Sequence, residues 1–221
     1  VLGPLTGLLL FLQSALVLTG GAVRLTGSGM GCPTWPECVP GSYFPVEGQA
    51  EGALHAWIEF GNRLLTFALF FAAVATLIAV LRSGRRDLRF LAATQILGIF
   101  AQGVLGGITV LTHLNPLSVA SHLLLSIILI AAATSLHSRR HHPQVRTSST
   151  QVRISRLSLA HIVIAFIAIA IGTLVTGSGP HAGDVDAPRL DFDISTITRL
   201  HSSSVWILLI ITFIFYRSKD L

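Results

Sequence analysis

Long apolar stretches alternate with short polar ones along the whole chain, and this pattern predicts the fold. Six stretches are long enough for a helix to cross a bilayer, because about 20 residues at about 1.5 Å each span a core of about 30 Å. The predicted spans are residues 5–23, 57–81, 90–111, 117–136, 159–175 and 194–216. We therefore predict an all-α polytopic membrane protein with six transmembrane helices.

A short repeat divides the predicted helices into two groups. The sequence Thr-Gly-Ser-Gly occurs at 26–29, after the first span, and again at 176–179, at the end of the fifth. Because both copies follow an odd-numbered span, both lie on the same side of the membrane. The repeat is therefore parallel, and its two halves are related by an axis along the membrane normal. We predict an N-terminal four-helix bundle over 1–137, a basic loop over 138–157 and half of a second bundle over 158–221.

Eleven of the fifteen Lys and Arg residues lie on one side of the predicted membrane. They are Arg82, Arg85, Arg86 and Arg89, then Arg139, Arg140, Arg146, Arg153 and Arg156, and finally Arg217 and Lys219. Because Lys and Arg accumulate in short cytoplasmic loops, we predict that both chain ends are cytoplasmic and that the first loop lies outside. The net charge of +5 follows from this topology and does not indicate nucleic-acid binding. We expect His137, His141 and His142, among these arginines, to face solvent and lipid headgroups.

The second predicted span carries polar residues at membrane depth. Glu59, Asn62 and Arg63 occupy positions i, i+3 and i+4, so they share one helix face. Ionisable groups within a bilayer are costly and usually face a bundle interior. Two interpretations stay open: a buried ion pair that only joins helices, or one wall of a ligand site.

Further polar residues are expected at a similar depth below the outer surface. His122 lies in span four, and Arg199 and His201 lie in span six. Histidine is rare in a membrane span and indicates heme or metal ligation, with interhelical hydrogen bonding as the alternative. Gln102 and His181 are further candidates for lining the site. A polar layer of this kind suits heme, because imidazoles can ligate the iron while arginines meet the propionates.

Cys32 and Cys38, the only two cysteines, lie in the first loop with Pro33 and Pro36 between them. An oxidising compartment favours a disulfide between them. A structural staple and a redox-active pair both remain open interpretations. A metal site is disfavoured, because no histidine lies nearby to complete it.

Several segments together resemble one known family. They are GGAVRLTGSGMGCPTWPEC, IEFGNRLLT, QGVLGGITVLTHLNPLSVASHLLLS, GTLVTGSGPHAGD and RLHSSSV. They are similar to heme A synthase, the membrane enzyme that oxidises the C8 methyl of heme O to a formyl group for cytochrome oxidase, and IEFGNR and GSGPHAGD resemble its actinobacterial branch. The resemblance implies two pseudo-symmetric four-helix bundles, the N-terminal one binding the substrate heme and the C-terminal one holding heme b.

The resemblance also implies roles for individual residues. It places the family's essential, catalytic glutamate at Glu59 and its heme-ligating histidines at His122 and His201, with the cysteine pair in the first outer loop. Asn62 stands where better-known members have a histidine, which leaves His122 as the only obvious imidazole at the substrate heme. The implied reaction is a two-step oxidation of the methyl group, with water as the oxygen source.

The implied setting is the plasma membrane of a bacterium, with heme O synthase as a partner and a separate electron acceptor; homo-oligomerisation is left open. The alternatives are a membrane diheme b-type electron-transfer protein and a thiol-oxidising protein that uses its cysteine pair with a quinone. The chain begins at Val1 and stops after the sixth span. We therefore expect a fragment that lacks the last two transmembrane helices, the final one of which would carry a histidine partner for His201.

Overall fold

The computed structural model describes residues 2–140 and 156–217, and their regular structure is helical. The six helices are α1 (Leu2–Leu25), α2 (Ala53–Arg82), α3 (Arg86–Leu111), α4 (Pro116–Arg139), α5 (Arg156–Ser178) and α6 (Ile194–Arg217). Every one of them is long and apolar enough to cross a membrane. Each predicted span lies inside one helix, so the prediction of an all-α polytopic membrane protein is confirmed.

Helix starts follow from local side-chain chemistry. Asn115 precedes α4, and its side chain accepts a hydrogen bond from the Leu117 N–H at 3.0 Å, with Pro116 in the first turn. Asp193 precedes α6 and accepts hydrogen bonds from the Ser195 hydroxyl at 2.7 Å and the Thr196 N–H at 2.8 Å. These bonds, chiefly the one from Ser195, lower the pKa of Asp193 to about 2. Both caps satisfy amide groups that a helix start otherwise leaves unpaired.

The described helices form two compact units. In the first unit α1 packs against α2 and α4, and α3 packs against the same two helices, which closes a four-helix bundle. In the second unit α5 packs against α6. The functional labels given to the two halves stay predictions, and most of the predicted basic loop, 141–155, lies outside the described residues.

One segment differs from the predicted division. His181–Pro188, assigned from the sequence to the C-terminal half, groups with the first unit. The Gly29 N–H donates to the Gly183 carbonyl at 2.8 Å, and Arg24 Nε donates to the His181 carbonyl at 2.5 Å. Hydrogen bonds to backbone carbonyls have no counterpart in hydrophobic periodicity, so the sequence pattern could not reveal them.

The two ends of the bundle differ in packing. We call the end where α1 finishes and α2 begins the disulfide end, and the end where α2 finishes and α3 begins the arginine end. A contiguous core fills the half nearer the arginine end, with Leu9, Leu12, Leu69, Ala72, Ala73, Val80, Leu88, Ala92, Ile99 and Leu136. Toward the disulfide end the described helices have no buried residue over 14–22, 61–68, 100–106 and 116–128. At this depth in the bundle, the four helices therefore leave a space between them that their own side chains do not fill.

Two glycines show that this level is open. Gly103 lies one turn from both Ile99 and Gly107, which are buried, so it shares their inward face. Gly20 lies two turns after buried Gln13 and shares its face in α1. A Cβ atom added to Gly20 or Gly103 would nevertheless meet nothing within 4 Å. We call this level the unfilled layer.

Candidate functional site

Polar side chains face the unfilled layer from α2 and α4. Asn62 and Thr66 lie seven and three residues before Leu69, a core residue of α2, and therefore share its face. His122 and Ser126 have the same relation to Leu129 in α4. Asn62 and His122 were predicted from the sequence. Thr66 and Ser126 were not, because a single hydroxyl in a membrane span is common and gives no signal until the buried face of the helix is known.

His122 has a buried ring nitrogen with no partner. Its ring packs over Gly106 of α3, where an added Cβ would come 3.4 Å from the imidazole. Its Nδ1 atom is buried and forms no hydrogen bond within the described residues. Since buried polar atoms are nearly always paired, this nitrogen indicates a missing partner such as a ligand or water.

Gln102 supplies a second unpaired atom beside the histidine. Its Nε2 donates to the Ser126 hydroxyl at 2.5 Å and to the His122 carbonyl at 3.0 Å, which fixes the amide against α4. Its Oε1 is buried and has no partner in the described chain. Two unpaired buried polar atoms on neighbouring helices fit a bound group better than an empty apolar core.

The floor of the unfilled layer is a buried glutamine pair. Gln13 of α1 donates to Oε1 of Gln95 of α3 at 2.9 Å, and Gln95 donates to the Leu129 carbonyl at 3.2 Å. Gln95 is fully buried and Gln13 nearly so. The pair joins three helices between the packed core and the open level. Gln13 was missed from the sequence, although its glutamine side chain inside a span was an available signal.

Glu59 is buried, and both of its carboxylate oxygens are engaged. Oε1 accepts from Arg63 Nη2 at 2.6 Å and from Arg63 Nε at 3.1 Å. Oε2 accepts from the Cys32 backbone N–H at 2.7 Å. The carboxylate therefore joins its own helix to the start of the disulfide loop, which we define as residues 32–38.

Arg63 also donates hydrogen bonds to the backbone of the same loop. Nη2 donates to the Cys32 carbonyl at 2.8 Å, and Nη1 donates to the carbonyls of Thr34 at 3.1 Å and Glu37 at 3.2 Å. An ion pair with this many backbone contacts holds the loop against α2. Of the two interpretations left open by the sequence, this geometry gives the pair a structural role, and a catalytic role for Glu59 stays a proposal.

The predicted disulfide between Cys32 and Cys38 is present, and both residues are fully buried. They pack with Phe60 of α2. Within the loop, the Trp35 indole lies on Gly107 of α3, where an added Cβ would come within 2.6 Å of the ring. The disulfide loop thus contacts both α2 and α3, and burial of the sulfur atoms favours a staple over a redox-active pair.

Asn62 makes a contact different from those of Glu59 and Arg63. Its Oδ1 accepts from the Thr19 hydroxyl of α1 at 2.6 Å. Asn62 therefore faces α1, while the ion pair faces the disulfide loop. The three residues predicted to share one face divide between two neighbours, because the consecutive residues Asn62 and Arg63 point about 100° apart around the helix and lie on opposite sides of Glu59.

In the second unit, His201 is positioned by α5. Its ring lies over Gly172, where an added Cβ would come 3.0 Å from the imidazole, and its Nδ1 lies 3.1 Å from the Ala168 carbonyl. That bond requires a proton on Nδ1 and leaves Nε2 with a free lone pair, the arrangement usual for a metal-ligating histidine. Arg199 is exposed.

The remaining predictions concern His181, the histidines at 137, 141 and 142, and the relative depth of His122 and His201. His181 is exposed and belongs to the first unit. His137, expected in solvent, is half-buried and lies 2.9 Å from the Thr6 hydroxyl of α1, while His141 and His142 lie outside the described residues. A common depth for His122 and His201 stays a prediction.

Comparison with known proteins places the chain in a family. A family model described as "Cytochrome oxidase assembly protein" matches residues 4–183. The chain belongs to this family. The predicted family resemblance is therefore confirmed.

Curated relatives of the chain carry the name "Heme A synthase". The protein of Shewanella oneidensis is 27% identical over 73% of this chain and 51% of its own length. The protein of a Methylobacterium species is 27% identical over 90% of this chain and 65% of its own length. The protein of Geobacillus kaustophilus is 29% identical over 48% of this chain and 32% of its own length. The chain thus spans between a third and two thirds of these relatives. No solved structure matches it significantly.

Proposed function

We propose that this member of the cytochrome oxidase assembly family carries heme A synthase activity and oxidises the C8 methyl of heme O to a formyl group. The observation that carries the proposal is the unfilled layer, with the unpaired nitrogen of His122 on its wall. A flat macrocycle would occupy a level that the helices leave open, and an iron ligand would give His122 a partner. The relatives' name supplies the reaction.

The residues present fit heme at both histidines. His122 would hold the substrate heme O in the N-terminal bundle, and His201, with its Nδ1 fixed by Ala168, would hold heme b in the C-terminal half. Heme b would supply a one-electron iron centre for passing electrons onward. Gln102 would meet a bound group or its water through the unpaired Oε1.

The proposed reaction removes electrons from a methyl group. Conversion of methyl to formyl consumes one water and releases four protons and four electrons, as two successive two-electron oxidations, so a separate electron acceptor is required. Glu59 would stabilise positive charge or receive a proton, because a buried carboxylate acts strongly in a low-dielectric site. The hydrogen bond that Glu59 accepts from the Cys32 N–H would keep the disulfide loop in place beside the proposed reaction site.

The distribution of charge supports the proposed setting. Because arginines accumulate in cytoplasmic loops, the arginine end, with both chain ends, would lie in the cytoplasm of a bacterium, and the disulfide loop would lie outside the plasma membrane. Heme O would come from heme O synthase in the same membrane.

Pigment analysis tests the proposal. Membranes expressing the chain together with a heme O supply are extracted, and the hemes are separated by chromatography. We expect a heme A peak that depends on the chain and is lost in His122→Ala. Heme O that stays unconverted in the presence of folded protein would contradict the proposed activity.

One observation favours a second candidate, a diheme electron-transfer protein of the b type. Glu59 has a structural task in holding the disulfide loop, so its presence at membrane depth does not by itself require chemistry. The same extraction separates the candidates. Heme b bound to the purified chain, with no heme A formed, would support electron transfer.

A further inference from the structure

A groove at the arginine end lies outside the proposed heme site. It has a volume of about 810 Å³ and runs between the first turns of α1 and the last turns of α2. Its walls are apolar along most of their length, with Leu5 on one side and Ala75, Ile78 and Ala79 on the other. The two alanines are small, so α2 leaves room beside α1.

Two arginines close one end of the groove. Arg82 ends α2, and Arg140 follows the last turn of α4. Neither forms an ion pair with a carboxylate in the described chain, where the pairs are Glu59 with Arg63 and Asp87 with Arg85. The groove therefore joins an apolar channel to an uncompensated positive charge.

Arg140 has a donor that the protein does not use. One of its terminal nitrogens donates to the His137 carbonyl, but its Nε is buried without a hydrogen-bond partner in the described residues. Arg85, close by, is fully used, because it pairs with Asp87 and donates to the carbonyls of Arg139 and Arg140. A buried guanidinium N–H that lacks an acceptor indicates a missing partner, and its positive charge favours an anion.

We propose that this groove binds one anionic phospholipid. The phosphate lies between Arg82 and Arg140 and accepts from the free Nε, while an acyl chain follows Leu5, Ala75 and Ala79. The site lies where helices end in arginines, at the headgroup level of a membrane, and basic pockets between transmembrane helices take such lipids. Free phosphate would use the arginines but leave the apolar walls unfilled.

Native mass spectrometry of the purified full chain in detergent tests the proposal. Phosphatidylglycerol and phosphatidylcholine with the same acyl chains are titrated separately, and inorganic phosphate is added in a third arm. We expect one phosphatidylglycerol to be retained per chain, several-fold more strongly than phosphatidylcholine. Equal retention of both lipids, or displacement of the lipid by millimolar phosphate, would overturn the proposal.

Variants locate the site. Arg82→Gln and Arg140→Gln should each weaken phosphatidylglycerol binding by roughly five-fold, the ratio that corresponds to about 1 kcal/mol per basic residue. Arg89→Gln is the matched control, because Arg89 is an exposed arginine at the same end that does not line the groove. Ala79→Phe should obstruct the acyl channel and reduce binding with both arginines intact. Unchanged binding in Ala79→Phe, or an equal loss in Arg89→Gln, would show that general surface charge attracts the lipid and that the groove does not.

Discussion

At the scale of single residues, the buried ion pair of Glu59 and Arg63 holds the disulfide loop against α2. Glu59 and Arg63 are one helical turn apart, and together they make six hydrogen bonds, four with the backbone of the disulfide loop and two with each other. A charge at membrane depth is tolerated because every strong acceptor and donor around it is paired. The same carboxylate is the proposed catalytic group, so variants must separate the two roles.

Replacing Arg63 with Ala should release the disulfide loop. Three backbone carbonyls each lose one hydrogen bond, Glu59 loses its cation, and we therefore expect a destabilisation of about 2 kcal/mol. This is below the value for fully buried pairs, because the Arg63 side chain is 21% exposed. Thermal unfolding in detergent measures the loss of stability. A faster rate of disulfide reduction would show that the disulfide loop has been released. Arg86→Ala, an exposed arginine of α3, is the control; equal effects in both variants would contradict the role given to Arg63.

Replacing Glu59 with Gln tests the chemical role. The amide keeps the size of the side chain and one oxygen for the Cys32 N–H, but it loses the negative charge. If the carboxylate acts in the proposed reaction, heme A formation should fall by at least 100-fold while bound heme is retained. Chromatography of extracted heme and the visible spectrum measure the two quantities. Normal heme A formation in this variant would leave Glu59 with a structural role alone.

At the scale of helices, the glycines of α3 have different surroundings, although the sequence alone does not distinguish them. Gly98 and Gly107 are spaced closely against Leu129 and Trp35, where a Cβ would collide. Gly103 lies between them in sequence and shares the face of Gly107, yet a Cβ added to it would meet nothing within 4 Å. One stretch of small residues therefore combines close helix contact with an open level.

Replacing Gly103 with Leu should fill the unfilled layer. Because the added side chain enters open space, the protein should fold with unchanged or slightly higher stability, since glycine costs a helix about 0.5–1 kcal/mol relative to alanine. Heme content, measured from the absorbance of the extracted pigment, should fall strongly. Gly98→Leu is the matched comparison and should lower the unfolding temperature. Full heme content in a folded Gly103→Leu protein would contradict the position proposed for the heme.

The start of α6 should respond to acid through Asp193. Its pKa is about 2 in the folded protein and close to 3.8 when unfolded, so its stabilising effect is complete above about pH 4 and disappears as the pH falls toward 2. Hydrogen exchange of the Thr196 amide, compared at each pH with Asp193→Asn, measures this. Asparagine also caps helices but does not titrate, so the variant should lack the added loss of protection in acid. The same acid response in both proteins would exclude Asp193 as its source.

At the scale of the whole molecule, the described residues form two units, each with its own histidine packed over a glycine of a neighbouring helix. His122 lies over Gly106 in the first unit, and His201 lies over Gly172 in the second. In both units the glycine, which lacks a Cβ, leaves room for the imidazole to approach the neighbouring helix closely. The hydrogen bonds differ, because only His201 has a carbonyl for its Nδ1.

Two single variants and their combination test whether the units bind heme independently. His122→Ala and His201→Ala should each remove part of the visible heme absorbance, and the double variant should remove nearly all of it, because sites without shared contacts behave additively. Spectra of purified protein at equal concentration measure the loss. Complete loss in either single variant, with the protein still folded, would show that the two sites depend on each other.

The sequence by itself determined the number, length and order of the helices, because a bilayer requires long uninterrupted apolar segments and backbone hydrogen bonding within each segment. It also determined the pairing of the two cysteines, which had no other partners, and it pointed to Glu59, His122 and His201 through the rarity of such groups in spans. Only the tertiary structure decided that Glu59 and Arg63 hold the disulfide loop, that His181–Pro188 joins the first unit, and that Thr66, Ser126 and Gln13 surround an open level. The physical reason is that periodicity states which residues avoid water or lipid, whereas contacts between distant segments depend on where the helices meet, and an empty level in a bundle is a property of four helices at once.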